Sequence, residues 1–204
     1  LAWEQYLLNK EVPYLREKMD YSLLEIKPDS VKYKELEARR IIFCEGHKAS
    51  ENPYFSNLHY KPAKGEILLA KIPNYPFKDK MAKDGIFIIP LKNDIYWIGS
   101  SYNRIFDNPD PTPEEYQNLL HELSDMLGMP FEIIDHRAGI RPTVRDRKPY
   151  LGRHFKQENL FIFNGLGAKG RSLGTSFDSH MAFCVHDAIA LDKEVNIARM
   201  KNRI

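Results

Sequence analysis

The spacing of apolar positions changes several times along this chain, and each change marks a predicted element. Residues 2–8 carry a short helical pattern, and Pro13 interrupts the next one. Residues 21–26 and 31–36 read as strands separated by the turn Lys27-Pro28-Asp29-Ser30. The apolar run Arg40-Ile41-Ile42-Phe43-Cys44, ending at Gly46, has the pattern of a strand buried on both faces. Residues 65–70, 85–89 and 94–100 follow as strands, the last two joined into a hairpin by Pro90-Leu91-Lys92-Asn93. The clearest helix spans residues 113–127. Thr112 and Glu115 form its capping box and Pro113 takes the first helical position. Tyr116, Leu119, Leu120, Leu123, Met126 and Leu127 make its stripe, and Gly128 ends it. Residues 131–134 are strand-like, and 159–164 form a strand that runs into a group of glycines. A last helix aligns Leu173, Phe177, Met181, Cys184, Ala188 and Leu191 on one face. Short strands in hairpins with few crossover helices predict an α+β fold with a mixed or antiparallel sheet.

The glycines Gly165, Gly167 and Gly170 have the spacing of a dinucleotide-binding turn. Such a turn opens a βαβ unit whose second strand ends in an acidic residue about 20 positions on. Residues 171–204 hold only a helical pattern and a charged tail. The loop therefore closes a site whose other parts lie upstream, or it is a tight strand-to-helix turn without a ligand.

Composition narrows the class. The chain has 204 residues, 43% hydrophobic and 12% aromatic, enough for one large domain or two modest ones with a real core. A net charge of +2 gives no general field for nucleic acid or acidic membranes. No apolar run approaches the roughly 18 residues of a membrane span. Cys44 and Cys184 read as two buried, reduced thiols, which makes the cytoplasm the expected compartment. None of the seven histidines has metal-ligand spacing, and no nucleophile motif supports hydrolysis. With Leu1 rather than Met at its start, the chain reads as a portion of a longer one.

Several segments then carry a resemblance. Arg137-Ala138-Gly139-Ile140-Arg141-Pro142, Lys148-Pro149-Tyr150-Leu151-Gly152 and the glycine loop resemble the C-terminal half of FAD-dependent amino-acid oxidases of the glycine, D-amino-acid and sarcosine oxidase kind. Residues 41–46 resemble that family's strand ending in a glycine beside FAD. Residues 61–68, with Pro62, Gly65 and Leu68, resemble the start of its substrate sheet, and Phe87-Ile88-Ile89-Pro90 resembles another of its strands. The family's opening Gly-x-Gly-x-x-Gly unit has no counterpart upstream of Gly46. The resemblance thus implies three parts: residues 1–57 as a partial FAD domain, 58–138 as the substrate-binding sheet, and 139–204 as the return into the FAD domain. It also implies that these residues alone bind FAD poorly and are inactive.

The resemblance assigns roles. Arg141 would bind the substrate carboxylate, to which a guanidinium offers a planar two-pronged match. Gly46, Gly139, Gly165, Gly167, Ala168, Lys169 and Gly170 would contact FAD, with the helix dipole, Lys169 and Arg171 favouring negative charge on the flavin. Phe87 is a departure, because the family carries there a tyrosine whose hydroxyl helps hold the substrate. Tyr96 and Tyr102 are the candidates to line the pocket instead. The implied reaction is oxidation of a small amino or hydroxy acid by hydride transfer to FAD, with a small carboxylate as partner and neither nucleic acid nor membrane. Two other readings stay open. One is a carboxylate- or phosphate-binding module without redox chemistry. The other is an RNA-interacting domain built on Arg137, Arg141, Arg145, Arg147, Lys148 and Arg153, which lack the aromatic interleaving used to stack bases.

Overall fold

The computed structural model describes residues 2–201, the side chains of Ala2 and Arg171 excepted. Leu1 and the side chain of Arg171 therefore lie outside the described residues. The elements run α1 (Ala2–Asn9), β1 (Leu24–Ile26), β2 (Val31–Tyr33), β3 (Leu36–Ala38), β4 (Ile41–Phe43), β5 (Ala63–Lys71), β6 (Ala82–Asp84), β7 (Ile86–Pro90) and β8 (Ile95–Gly99). Then come α2 (Pro113–Leu127), β9 (Glu132–Arg141), β10 (Tyr150–Arg153), β11 (Leu160–Asn164) and α3 (Gly170–Asp187). The fold is α+β.

Three sheets form. An antiparallel sheet of five strands has the order β6-β7-β8-β5-β9. Strands β10, β11 and β4 make a mixed sheet in which β11 and β4 are parallel, and β1–β3 make a small meander. One face of the large sheet is apolar: Leu68, Ala70, Ile88 and Ile98 pack with Leu119 and Leu123 of α2. The stripe of α2 is the expected one, started by Thr112, whose hydroxyl accepts from the N–H of Glu115, and ended by Gly128 at φ +56°.

Four expectations are corrected. Residues 31–36 are not one strand, because Lys34 takes a left-handed φ of 53° and Tyr33 pairs back with Leu36. The strand predicted at 131–134 continues to Arg141, since alternating polar residues on its open face mask its period. The helix ends at Asp187, and Ala188 adopts a left-handed φ of 55°, so Ala188 and Leu191 are not helical. Burial on both faces belongs to β11, the central strand, rather than to β4. Leu160 and Ile162 pack with Phe43 and Phe55, while Phe161 packs with Met181 and Val185 of α3. At the sheet edge, Ile42 is 40% exposed and Cys44 is exposed rather than buried.

Candidate functional site

The face of the five-stranded sheet turned away from α2 is where the sequence candidates converge. Ladder register fixes the sides: Gly65 lies opposite Gly139, Ala63 opposite Arg141, Ile67 opposite Gly99, and Gly99 opposite Phe87. Gly65, Ile67, Gly139, Arg141 and Phe87 therefore share this face by strand alternation. Tyr96 does not. It pairs with Ala70 and Pro90, is 2% exposed, and packs edge-on against Tyr75 in the core beneath α2. Its expected place in the pocket is thus corrected: a period-2 strand puts it on the wrong side.

Arg141 is held in detail. Its Nη2 donates to Ser100 Oγ (2.6 Å) and to the carbonyl of Ser101 (3.0 Å), and its Nη1 donates to the carbonyl of Lys64 (3.3 Å). The guanidinium lies over the Tyr102 ring, 5.3 Å from its centroid, and Tyr102 itself is 53% exposed. It also lies flat on the backbone of Gly65, where a Cβ would fall 2.0 Å from Nη2. Gly65 is glycine because the arginine occupies its side-chain space. Burial pulls the Arg141 pKa below its ordinary value, against the opposing influence of Tyr102. A guanidinium stays charged at neutral pH all the same, so this is a partly desolvated cation without a carboxylate among its hydrogen-bond acceptors.

The acceptors come from a β-bulge. Ile67 lies opposite Gly99 and Lys64 opposite Asn103, so three steps along β5 match four along its neighbour. At the extra residue, the N–H of Glu66 is met by the Ser101 hydroxyl (2.9 Å), which leaves the Ser101 carbonyl to Arg141. On the reverse face, Glu66 is fully buried. It accepts from Lys64 Nζ (3.0 Å), the Thr112 N–H (2.8 Å) and the Thr112 hydroxyl (3.0 Å). Burial pushes the Glu66 pKa up, but these donors outweigh it and hold the carboxyl below its ordinary value. Lys64 Nζ also reaches the Asp110 carbonyl (2.9 Å). His136 Nε2 sits 3.0 Å from the Glu66 carboxylate without hydrogen-bond geometry to it. This polar cluster locks the N-terminus of α2 to β5, the strand on whose backbone the arginine rests.

The glycine turn meets the same place. Past Arg141, the carbonyl of Pro142 accepts from the N–H of Gly167 (3.3 Å), and a Cβ on Gly167 would fall 3.0 Å from the Thr143 methyl. Gly165 has φ +75°, and a Cβ there would lie 2.9 Å from Val144. Asn164, 3% exposed, accepts from the Gly165 N–H (2.7 Å) and donates to the carbonyl of Gly46 (2.9 Å). It thereby clamps the ends of the parallel strands β4 and β11 together. Lys169 and Ala168 are exposed beside the start of α3. Gly139 and Gly170 have no positive φ, and no atom lies within 3.8 Å of the position of an added Cβ at either. Packing within the chain gives neither a reason to be glycine. At Gly170, where α3 starts just past the carboxyl ends of the parallel strands β4 and β11, open space of that kind fits one end of a flavin dinucleotide.

Sequence reasoning missed Ser100, Ser101, Asn164 and the Lys64–Glu66 pair. Two signals existed: an asparagine closing an apolar run directly before glycine, and two charges two residues apart on an otherwise apolar strand face. The serine pair left none. Among the described residues no group of three or more His, Cys, Asp or Glu side chains is arranged to hold a metal. No helix among them is long and apolar enough to cross a membrane.

A partly desolvated arginine, presented by an antiparallel sheet beside a glycine turn that ends a parallel strand pair, defines a flavin-oxidase type of fold. Residues 20–177 match the family described as FAD dependent oxidoreductase, and the chain belongs to that family. It is 26% identical over 147 residues to the tRNA 5-methylaminomethyl-2-thiouridine biosynthesis bifunctional protein MnmC of Idiomarina loihiensis, covering 66% of this chain and 23% of that protein. It is 28% identical over 112 residues to glycine oxidase of Geobacillus kaustophilus, covering 53% of this chain and 30% of the enzyme. Among solved structures, iminodiacetate oxidase from Chelativorans sp. BNC1 superposes with a TM-score of 0.72 at 19% identity, over 84% of this chain and 51% of that one. Glycine oxidase from Geobacillus kaustophilus superposes with a TM-score of 0.67 at 22% identity, over 87% and 50%. The chain thus spans about half of these solved neighbours and less of the curated relatives.

Proposed function

We propose that these residues form the substrate side of an FAD-dependent oxidase or dehydrogenase acting on a small carboxylate-bearing amine or hydroxy acid. The observation that carries the reading is the seating of Arg141 next to the glycine turn through Pro142 and Thr143. Arg141 would anchor the carboxylate and so fix the substrate Cα beside the flavin. Gly46, Gly139, Gly165, Gly167, Ala168, Lys169 and Gly170 would border the flavin, which when bound accepts the hydride. Phe87, on the same sheet face, would form apolar wall, and Tyr102 would shield the guanidinium from water. The Gly167 N–H already donates to the Pro142 carbonyl, so Gly167 would border the flavin while holding the turn, without offering it that N–H. Positioning, rather than a protein base, is what hydride transfer from Cα requires of these side chains. The adenosine and pyrophosphate are proposed to be held by a portion outside these residues.

Neither alternative is favoured by a specific observation. The basic cluster is dispersed: Arg137 pairs with Asp135 (2.6 Å), Lys148 with Glu194 (2.9 Å) and Arg153 lies 3.6 Å from Glu158. The deciding experiment is anaerobic titration of the flavin-loaded protein with small amino and hydroxy acids. Bleaching of the visible flavin band that disappears in Arg141→Met, with flavin content unchanged, is the expected result. Bleaching that survives in Arg141→Met, or no bleaching with any carboxylate, would remove the reading.

A further inference from the structure

The donors of Arg141 are unevenly committed. A guanidinium has five N–H groups, two on each terminal nitrogen and one on Nε. Both hydrogens of Nη2 are engaged, by Ser100 Oγ at 2.6 Å and by the Ser101 carbonyl at 3.0 Å, and Nη1 gives one to Lys64. Both two-pronged edges of a guanidinium, Nη1–Nη2 and Nε–Nη2, use a hydrogen of Nη2. A carboxylate gripped by the fork would have to evict Ser100 or Ser101. The Ser101 carbonyl cannot leave cheaply, since the bulge fixes it: its hydroxyl caps the Glu66 N–H and its N–H donates to the Glu66 carbonyl at 3.1 Å.

Ser100 is different in kind. Its oxygen accepts from the cation, and its own proton is left to donate. A hydroxyl polarised by a guanidinium is a strong donor to an anion. We propose that Ser100 is a substrate-binding residue: the carboxylate takes one hydrogen bond from Arg141 and a second from the Ser100 hydroxyl. This rests on the carboxylate reading of Arg141 and adds to it the identity of the second donor. The hydroxyl comes from the strand beside Phe87, whose opposite number in the ladder is Gly99, one residue before Ser100. A phenylalanine is then tolerable at residue 87 because the site's hydroxyl comes from the bulge.

The competing geometry, eviction of Ser100 by a two-pronged carboxylate, predicts the opposite sign on mutation, which makes the test sharp. Glycolate binding is measured by ligand-observed NMR titration on the protein with FAD in excess, with glycolamide as the neutral control. Wild type, Ser100→Ala, Ser100→Thr and Arg141→Met are compared, each checked for a native melting curve. The proposal expects Ser100→Ala to weaken glycolate about tenfold, the weight of one hydrogen bond to a charged group. Ser100→Thr, which keeps the hydroxyl, stays within about threefold of wild type, and glycolamide is indifferent to the serine. If Arg141→Met loses glycolate but Ser100→Ala binds it as well as or better than wild type, the assignment of Ser100 is overturned while the carboxylate site stands. If wild type fails to bind glycolate, or Arg141→Met binds it equally, the carboxylate site itself is lost, and the role of Ser100 with it.

Discussion

Gly65→Ala separates the arginine's seat from the stability of the sheet. An added Cβ would fall 2.0 Å from Nη2 and 2.3 Å from both Cζ and Nη1 of Arg141, against the roughly 3.5 Å that such atoms need. β5 cannot retreat, because β8 and β9 are bonded to it on both sides. The guanidinium ends a flexible side chain, so it is the part that moves. It gives up the bonds to Ser100, Ser101 and Lys64 and regains water, for a net loss of about 1–3 kcal/mol. Replacing glycine in a strand returns about 0.4–1 kcal/mol by restricting the unfolded chain. The variant should therefore lose about 0–2.5 kcal/mol and melt no more than about 10 °C lower, at roughly 2–4 °C per kcal/mol. Carboxylate binding, which loses its charged partner outright, should fall by about 2–5 kcal/mol, or roughly thirtyfold to a few thousandfold. Calorimetric melting and glycolate titration of the same preparations read the two effects side by side. Gly139→Ala, directly across the ladder with open space for its methyl, serves as the stability control and should melt at or above wild type. A folded Gly65→Ala with wild-type carboxylate affinity would refute the argument, since the arginine would then be working from somewhere else.

Three further outcomes follow from the same geometry. Asn164→Ala should cost about 1–3 kcal/mol, seen as a lower urea midpoint, because it orphans the buried Gly165 N–H and the Gly46 carbonyl together. Gly165→Ala should destabilise by more than about 2 kcal/mol in thermal melts, adding a left-handed backbone penalty at φ +75° to a 2.9 Å contact with Val144. The Glu66 carboxyl is held below its ordinary pKa by Thr112 and Lys64, so its contribution is fully present above the unfolded-state value of about 4.3 and is lost as pH falls through the folded value. Glu66→Gln should accordingly cost about 3–5 kcal/mol at pH 7, by leaving Lys64 buried without its charged partner, and the gap to wild type should narrow in urea melts below about pH 4; a gap that stays constant with pH would show that the loss does not come from the ion pair.

The parts of this molecule that could be read from residues alone are those where one local rule decides. The Thr112 cap, the stripe of α2 and the hairpin of β7 and β8 needed only periodicity and turn chemistry, although the expected capping box is half made, since the Thr112 N–H goes to Glu66 rather than to Glu115. Arg141 and the glycine turn were singled out through a family resemblance in their flanking residues, and the structure brings them together through Pro142 and Thr143. The hidden parts depend on tertiary choices. Tyr96 was misplaced because proximity in sequence says nothing about which side of a strand a residue takes until the register is known. Cys44 looked buried because β4 is apolar, but β4 is the edge of its sheet and it is β11, in the middle, that packs on both faces.

The bulge at Ser100 and Ser101 shows why sites are the last thing a pattern reveals. A regular ladder would point the Ser101 carbonyl at β5, satisfy Glu66, and leave the guanidinium with one acceptor fewer. Inserting one residue trades a backbone acceptor for a side-chain one, the Ser101 hydroxyl, and turns the freed carbonyl onto Arg141. That exchange is stable only if the strand opposite is immobile. The fully buried Glu66, bonded to Lys64 and to the first turn of α2, supplies that immobility from the other face of the sheet. Gly65 then clears the space the arginine needs. A buried ion pair on one side of a strand and a glycine on the other thus serve a single outcome, the fixed pose of one cation beside the glycine turn. Neither could be assigned that purpose before the register brought them to the same three residues of β5.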